Sequence, residues 1–186
     1  MKIEEFTRRA IEEEISNKGE YVKIGYLSNC LKRNLDFDAR RFVLTTLSAL
    51  YEDKKMFADA GKMINFAAEI NTTFNGKIQD YLKSAELFIK SANYDLAELA
   101  IKKALTSANL SQKNEIKKRY KEMYNVQVRE YLSKDKRKNA AEAYEMLLKL
   151  DLNESERLEV RSKLLPLYES LGRVREFINL RKSLGK

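Results

Sequence analysis

Small and apolar residues recur along this chain in three sets of six that share one spacing, with steps of +4, +3, +9, +4 and +3 residues. Steps of three and four residues place side chains on one face of an α-helix, and the step of nine carries the pattern across a turn to a second helix. Each set therefore predicts a pair of helices. The sets are Leu44, Ser48, Tyr51, Ala60, Ile64 and Ala67; Tyr81, Ala85, Phe88, Ala97, Ile101 and Ala104; and Tyr124, Val128, Tyr131, Ala140, Tyr144 and Leu147.

Each predicted helix has a single apolar stripe, so neither member of a pair can bury its stripe alone. Stacking neighbouring pairs solves this problem and produces a solenoid. Successive sets begin 37 and 43 residues apart, at Leu44, Tyr81 and Tyr124, and a divergent set begins 37 residues later at Arg161. We predict about ten helices in one domain over 1-186, arranged as an N-terminal pair at 3-34, pairs at 37-70, 77-108 and 112-150, and a C-terminal capping pair at 153-184.

Local signals predict several helix boundaries. Asp36 is a favourable N-cap for the helix that follows it, and Asn153 with Glu156 has the spacing of a capping pair. The segment Asn71–Gly76 is predicted to be a loop, because its last two residues, Asn and Gly, favour a turn.

Two stretches resemble a tetratricopeptide repeat. Residues 91-97, leading to Ala104 and Leu105, resemble the turn and second helix of that repeat, and residues 148-153 resemble its closing segment, with Leu152 where the consensus has proline. The resemblance covers roughly 40-184 and implies a right-handed α-solenoid of about five antiparallel helical hairpins. The offsets of 37 and 43 residues exceed the 34 of the regular repeat. Another antiparallel helical bundle is the alternative fold.

Composition agrees with an all-α class. A hydrophobic content of 44% suffices for a continuous core, while one proline, six glycines and 34% charged residues favour long helices joined by short turns. The N-terminus alternates charged and apolar residues, as at Lys2, Glu4 and Arg8, and no long uncharged run follows, so we expect neither a secretory nor a membrane-spanning segment. The single cysteine, Cys30, agrees with a reducing compartment and is expected in the core. The predicted location is the cytoplasm.

Positive charge is concentrated in one part of the chain. Residues 113-138 contain ten basic and four acidic residues, a net of +6 out of +8 for the whole protein, whereas residues 1-60 balance at eleven of each. The basic segment is either a nucleic-acid interface or a solvated helix face. Tyrosines that alternate with its lysines occupy core positions of the repeat, which favours packing over base stacking. The candidate nucleic-acid contacts are Lys113, Lys117, Lys118, Lys121, Lys134, Lys136, Arg137 and Lys138.

Catalysis has little support in the sequence. The chain has no histidine, which is the commonest general base and transition-metal ligand, and Cys30 alone cannot build a zinc site. Gly61-Lys62 and Gly76-Lys77 lack the remaining residues of a phosphate-binding loop. We therefore predict no catalytic residues, no metal and no cofactor.

A groove for a protein segment is the favoured functional site. The peptide clamp best known in tetratricopeptide proteins uses Lys and Asn at positions occupied here by Leu82 and Glu86, so that clamp is not expected. The predicted groove residues are Leu82, Glu86, Ile89, Asn125, Arg129 and Leu132. In the alternative interpretation, the three apolar members pack against the neighbouring hairpin.

The sequence thus favours a non-enzymatic scaffold that binds a peptide or helix of another protein. Two alternatives stay open: an RNA- or ribosome-binding protein that uses the segment 113-138, and a structural subunit of a homo-oligomer. No membrane partner is expected.

Overall fold

The computed structural model describes residues 6–185, and every regular element in this range is an α-helix. The ten helices of this range are α1 (Arg8–Ile15), α2 (Glu20–Cys30), α3 (Phe37–Asp53), α4 (Phe57–Ile70), α5 (Phe74–Lys90), α6 (Tyr94–Thr106), α7 (Leu110–Ser133), α8 (Arg137–Leu148), α9 (Glu154–Ser170) and α10 (Val174–Ser183). The predicted all-α class and number of helices are confirmed. The N-terminal start of the first predicted pair, at Ile3, and the charged residues Lys2 and Glu4 lie outside the described residues. Among the described helices, none combines the length and the apolar character needed to cross a bilayer.

The chain divides into two compact units, Met1–Ile116 and Lys117–Lys186, and α7 contributes residues to both. In the first unit α3 packs on α4, α4 on α5 and α5 on α6, while α1 and α2 each pack on α3. In the second unit α8 packs on α9 and α9 on α10. Consecutive helices are therefore neighbours in space from α2 to α6 in the first unit and from α8 to α10 in the second, and the assembly of all pairs into a single right-handed solenoid remains a prediction.

The repeated residues form the interior of both units. Every member of the three sets is buried except Tyr51, which is partly exposed, and Tyr124 is completely inaccessible. Two buried serines, Ser48 of the first set and Ser84 beside the set residue Ala85, form hydrogen bonds with the backbone of α4. The Ser48 hydroxyl donates to the Ala60 carbonyl at 3.0 Å, and the Ser84 hydroxyl donates to the Gly61 carbonyl at 2.9 Å. Because both hydroxyls donate hydrogen bonds to backbone carbonyls of α4, their burial leaves neither hydroxyl unpaired.

Cys30 belongs to the apolar cluster that joins α1, α2 and α3, together with Ile11 and Leu27. It is 2% exposed, which confirms the predicted core position. Burial raises the pKa of the Cys30 thiol, so its neutral, unreactive form is favoured.

The same backbone turn closes four helices. One residue after the C-cap of α3, α5, α7 and α9 has a left-handed conformation, with φ between 53° and 66°. In each turn the next amide donates to the carbonyl of the aromatic residue five positions earlier, at 2.8–2.9 Å, which is the Schellman arrangement. The left-handed residues are Lys55, Ala92, Asp135 and Gly172, and the aromatic acceptors are Tyr51, Phe88, Tyr131 and Tyr168.

These turns repeat the periodicity of the sequence in the backbone itself. The left-handed residues are separated by 37, 43 and 37 residues, the same offsets as the apolar sets. The following residues, Met56, Asn93, Lys136 and Arg173, also share one conformation, with φ between −88° and −82° and ψ between 59° and 67°. Four copies of one helix–turn–helix junction are therefore present in the described chain.

The predicted loop at Asn71–Gly76 is shorter than expected. Helix α5 begins at Phe74, and the Thr73 hydroxyl caps it by accepting from the Gly76 amide at 3.1 Å. A Cβ on Gly76 would lie 2.3 Å from the Asn71 side-chain nitrogen, which itself donates to Asp80 at 2.9 Å. Glycine is therefore required here because a buried amide packs against the first helical turn, and the assignment of a turn at Asn75-Gly76 was wrong.

We predict opposite effects from exchanging alanine and glycine at two of the left-handed positions. Gly172→Ala should destabilise the protein by about 1 kcal/mol, because φ is 66° and nothing within 4 Å of the new Cβ offers compensating contact. Ala92→Gly, at φ 58°, should stabilise it by about the same amount. Urea unfolding followed by circular dichroism measures both. Equal effects of the same sign would contradict the assignment of backbone strain.

Candidate functional site

A cavity of about 150 Å³ opens in the second unit between α7, α8 and α9. Its walls are Lys121, Asn125, Arg129, Tyr144, Leu147, Leu152, Glu156, Glu159, Val160 and Lys163. The apolar members Leu147, Leu152 and Val160 are buried, whereas the charged members are partly or fully exposed. The cavity thus combines an apolar base with a polar rim.

One face of α7 supplies the first wall. Lys121, Asn125 and Arg129 are spaced four residues apart, so they form one row along the helix. The adjacent face of α7 is buried through Tyr124 and Val128, which places the row at the edge of the packed face, beside the cavity. Asn125 and Arg129 were predicted as groove residues and Lys121 as a nucleic-acid contact, and the structure brings these three together.

A capping box positions the α9 wall. The Asn153 side chain accepts from the Glu156 amide, and the Glu156 carboxylate accepts from the Asn153 amide, both at 2.8 Å, which confirms the predicted capping pair. The same carboxylate accepts from Lys121 Nζ at 2.9 Å. The Lys121 hydrogen bond, reinforced by the Asn153 amide, lowers the pKa of Glu156. Helix capping and the ion pair therefore hold α9 against α7 at the cavity.

Tyr144 is the buried polar group of this site. Its side chain is 6% exposed, and its hydroxyl has no hydrogen-bond partner among the described residues. Burial raises the pKa of Tyr144, while the positive charge of Lys163 opposes the shift. By contrast, the Tyr168 hydroxyl in the same unit donates to Glu145 at 3.0 Å. The Tyr144 hydroxyl is open to the cavity, and a hydroxyl that lacks a protein partner there is available to a ligand.

The charges of the cavity are nearly balanced. Lys121 pairs with Glu156, and Lys163 pairs with Glu159. Arg129 instead pairs with Glu122 at 2.7 Å, and Glu122 is not part of the cavity wall. Arg129 is therefore a cation of the cavity wall whose ion-pair partner lies outside the wall.

The remaining predicted groove residues do not line this cavity. Leu82 and Ile89 are 2% and 1% exposed, so their side chains belong to the interior, as the alternative interpretation expected. Glu86 forms an ion pair with Lys90 on α5, and Leu132 is an exposed residue of α7.

Tyr144, Glu159 and Lys163 line the cavity but were not predicted to be functional residues. Tyr144 occupies a core position of the repeated pattern, so the sequence gives no indication that its hydroxyl lacks a hydrogen-bond partner. Glu156, Glu159 and Lys163 do share the three- and four-residue spacing of one helix face, and that row was a usable signal for a groove wall.

The predicted basic surface is largely neutralised. Five of its eight members form ion pairs within the second unit: Lys117 with Asp151, Lys121 with Glu156, Lys134 with Glu130, Arg137 with Asp135 and Lys138 with Glu142. Lys113, Lys118 and Lys136 are exposed and form no ion pair with a described residue. Exposed pairs of this kind are worth little individually, but they compensate the row of like charges, which favours the solvated-face interpretation.

The tyrosines of α7 are core residues. Tyr120, Tyr124 and Tyr131 are 6%, 0% and 7% exposed, and the rings of the first two lie 5.3 Å apart in a tilted arrangement. The prediction that they pack inward is confirmed, and they are not available for base stacking.

The sequence matches no model of a known protein family, and a search of curated proteins found no relative. The tetratricopeptide resemblance therefore rests on the residues of this chain alone.

We predict that Lys121→Met raises the pKa of Glu156, because the variant removes the cation but keeps an apolar stem of similar length. Carboxyl-detected NMR of the side chain measures the shift, and Arg129→Met should leave the value unchanged. A carboxyl with a lowered folded-state pKa stabilises the protein above the ordinary pKa of Glu, and this stabilisation is lost as pH falls through the lowered value. The urea midpoint should therefore drop less on acidification in Lys121→Met than in the natural protein.

Proposed function

We propose that this protein is a non-enzymatic scaffold that holds a segment of another protein, and that the cavity between α7, α8 and α9 receives a side chain of that segment. The unpartnered hydroxyl of Tyr144 is the observation that carries the proposal. It lies in a wall shared with Asn125 and Arg129, which offer an amide and a guanidinium to the same space.

The size of the cavity favours one side chain over a whole small molecule. Small-molecule sites usually enclose about 300–1,000 Å³. A cavity of about 150 Å³ holds the equivalent of roughly five waters, which suits a single anchoring residue. The rest of the bound segment would then run over the polar rim, where both signs of charge are present.

The chemistry of the lining suits a peptide. Asn125 can donate and accept, so it can satisfy a peptide group, and the Tyr144 hydroxyl can do the same. Leu147, Leu152 and Val160 provide apolar contact for the anchoring side chain. The tetratricopeptide resemblance adds support at the level of fold analogy, since solenoids of that kind present protein-binding surfaces.

We expect linear peptides selected by phage display against the natural protein to depend on this cavity. Tyr144→Phe should weaken the selected peptides about 3- to 10-fold, the value of one net hydrogen bond. Asn125→Trp should weaken them more than about 10-fold by filling the cavity. Tyr168→Phe is the matched control, because it removes a hydroxyl of the same unit that is not part of the lining. Fluorescence anisotropy measures each affinity, and equal affinities for Tyr144→Phe, Asn125→Trp and the natural protein would refute the proposal.

RNA binding is the second candidate, and the distribution of charge supports it. Residues 117-186 contain 18 basic and 11 acidic residues, a net of +7, whereas residues 1-116 contain 18 and 17, a net of +1. The exposed Lys118 and Lys136 are not neutralised by any described residue, and neither is Lys113.

If single-stranded RNA binds through these three lysines, log affinity should fall against log salt with a slope of about −2. Changing Lys113, Lys117, Lys118 and Lys121 to Glu should abolish the interaction. Filter binding over a salt series measures the slope. An RNA affinity that does not change with salt concentration, or does not change with the substitutions, would exclude RNA binding through these lysines.

A further inference from the structure

The outward side of α10 is a second surface with a distinct character. This helix packs on α9, yet none of its residues is buried. Val174 and Ile178 are 62% and 44% exposed and lie four residues apart, so they form one short apolar stripe. Phe177 and Leu180 are less exposed and lie beyond Arg181 on a helical projection.

Basic residues border this stripe. On a helical projection Arg181 lies on one side of Val174 and Ile178, and Arg175 and Lys182 lie on the other. All three are exposed and form no ion pair with a described residue. The acidic residue of α10, Glu176, is engaged by Arg173 at 2.9 Å. We define the outer face of α10 as Val174, Arg175, Ile178, Arg181 and Lys182.

The start of α10 is held firmly in place. The Arg173 guanidinium pairs with Glu145 of α8 at 2.6 Å and lies 4.8 Å from the centre of the Tyr168 ring. Glu145 also accepts the Tyr168 hydroxyl at 3.0 Å. Because these contacts fix the helix before any partner arrives, little ordering is required on binding.

We propose that the outer face of α10 docks an amphipathic helix of a partner protein whose apolar stripe is bordered by Asp and Glu. An apolar stripe one residue wide and one helical turn long matches the i, i+3 and i, i+4 spacing of a second helix. Acidic residues beside the partner's stripe would meet Arg175, Arg181 and Lys182, in the way that charges flank the seam of paired helices. The interaction is independent of the cavity proposed above.

The same charges disfavour the other occupants. A second copy of this face would bring three cations against three cations, which opposes self-association. Attachment to a lipid surface requires a broad face of large apolar residues, and this face offers two aliphatic side chains between cations.

The probe is a synthetic helical peptide of about 18 residues with Leu at core spacing and Glu at the bordering positions, labelled with fluorescein. A matched peptide carries Lys in place of Glu. We expect the Glu peptide to bind at least 10-fold more tightly than the Lys peptide. Reversal of Arg175, Arg181 and Lys182 to Glu should invert this preference, and Ile178→Ser with Val174→Ser should weaken the Glu peptide at least 5-fold.

Two controls locate the site. Reversal of Lys134, Lys136 and Lys138 to Glu makes the same change in net charge in the same unit and should leave the preference intact, and so should Tyr144→Phe. Circular dichroism of each variant verifies that the helices remain. If both triple reversals weakened binding of the Glu peptide equally, the preference would depend on net charge alone and the proposal would be overturned. It would also be overturned if anionic phospholipid vesicles, but not the Glu peptide, bound the natural protein, or if Ile178→Ser abolished a concentration-dependent dimer.

Discussion

Burial of one-sided helices against their sequence neighbours is the constraint on which this structure depends. The repeated sets include small residues such as Ala85, Ala97 and Ala104, and these are inaccessible. Small residues let helix axes approach closely, and large aromatic residues such as Tyr124 are also fully buried. The apolar stripe of one helix is buried by the helix packed beside it, and from α2 to α6 and from α8 to α10 that helix is the next one in sequence.

The repeated turn is the backbone counterpart of that packing. At each junction the carbonyl of a core aromatic residue accepts the closing hydrogen bond, so the residue that fills the interior also ends the helix. Three of the four left-handed positions carry Lys55, Ala92 and Asp135 in place of glycine. Non-glycine residues are strained in this conformation, and the surrounding packing supplies the compensation. The periodicity is therefore maintained by geometry even where the residue type has diverged.

Charge has two different uses in the second unit. Most of the basic segment is paired with nearby carboxylates, whereas Lys113, Lys118 and Lys136 are exposed and form no ion pair with a described residue. At α10 the balance is different, since Arg175, Arg181 and Lys182 form no ion pair with a described residue and border an apolar stripe. The charge of the cavity wall is nearly balanced, and the cavity also has an apolar base and the Tyr144 hydroxyl, which has no protein hydrogen-bond partner among the described residues.

The sequence by itself determined the all-α class, the helix bounds to within a few residues and the interior positions, because periods of three and four residues depend only on local helix geometry. It also predicted the Asn153–Glu156 cap, whose two residues are three positions apart. Only the tertiary structure decided that Leu82 and Ile89 are interior, that Lys121 pairs with Glu156 35 residues away, and that Tyr144 keeps a free hydroxyl in a cavity. These outcomes depend on which helices pack against each other and on which polar groups have no hydrogen-bond partner nearby. They involve residues that are far apart in sequence, so a local sequence pattern cannot predict them.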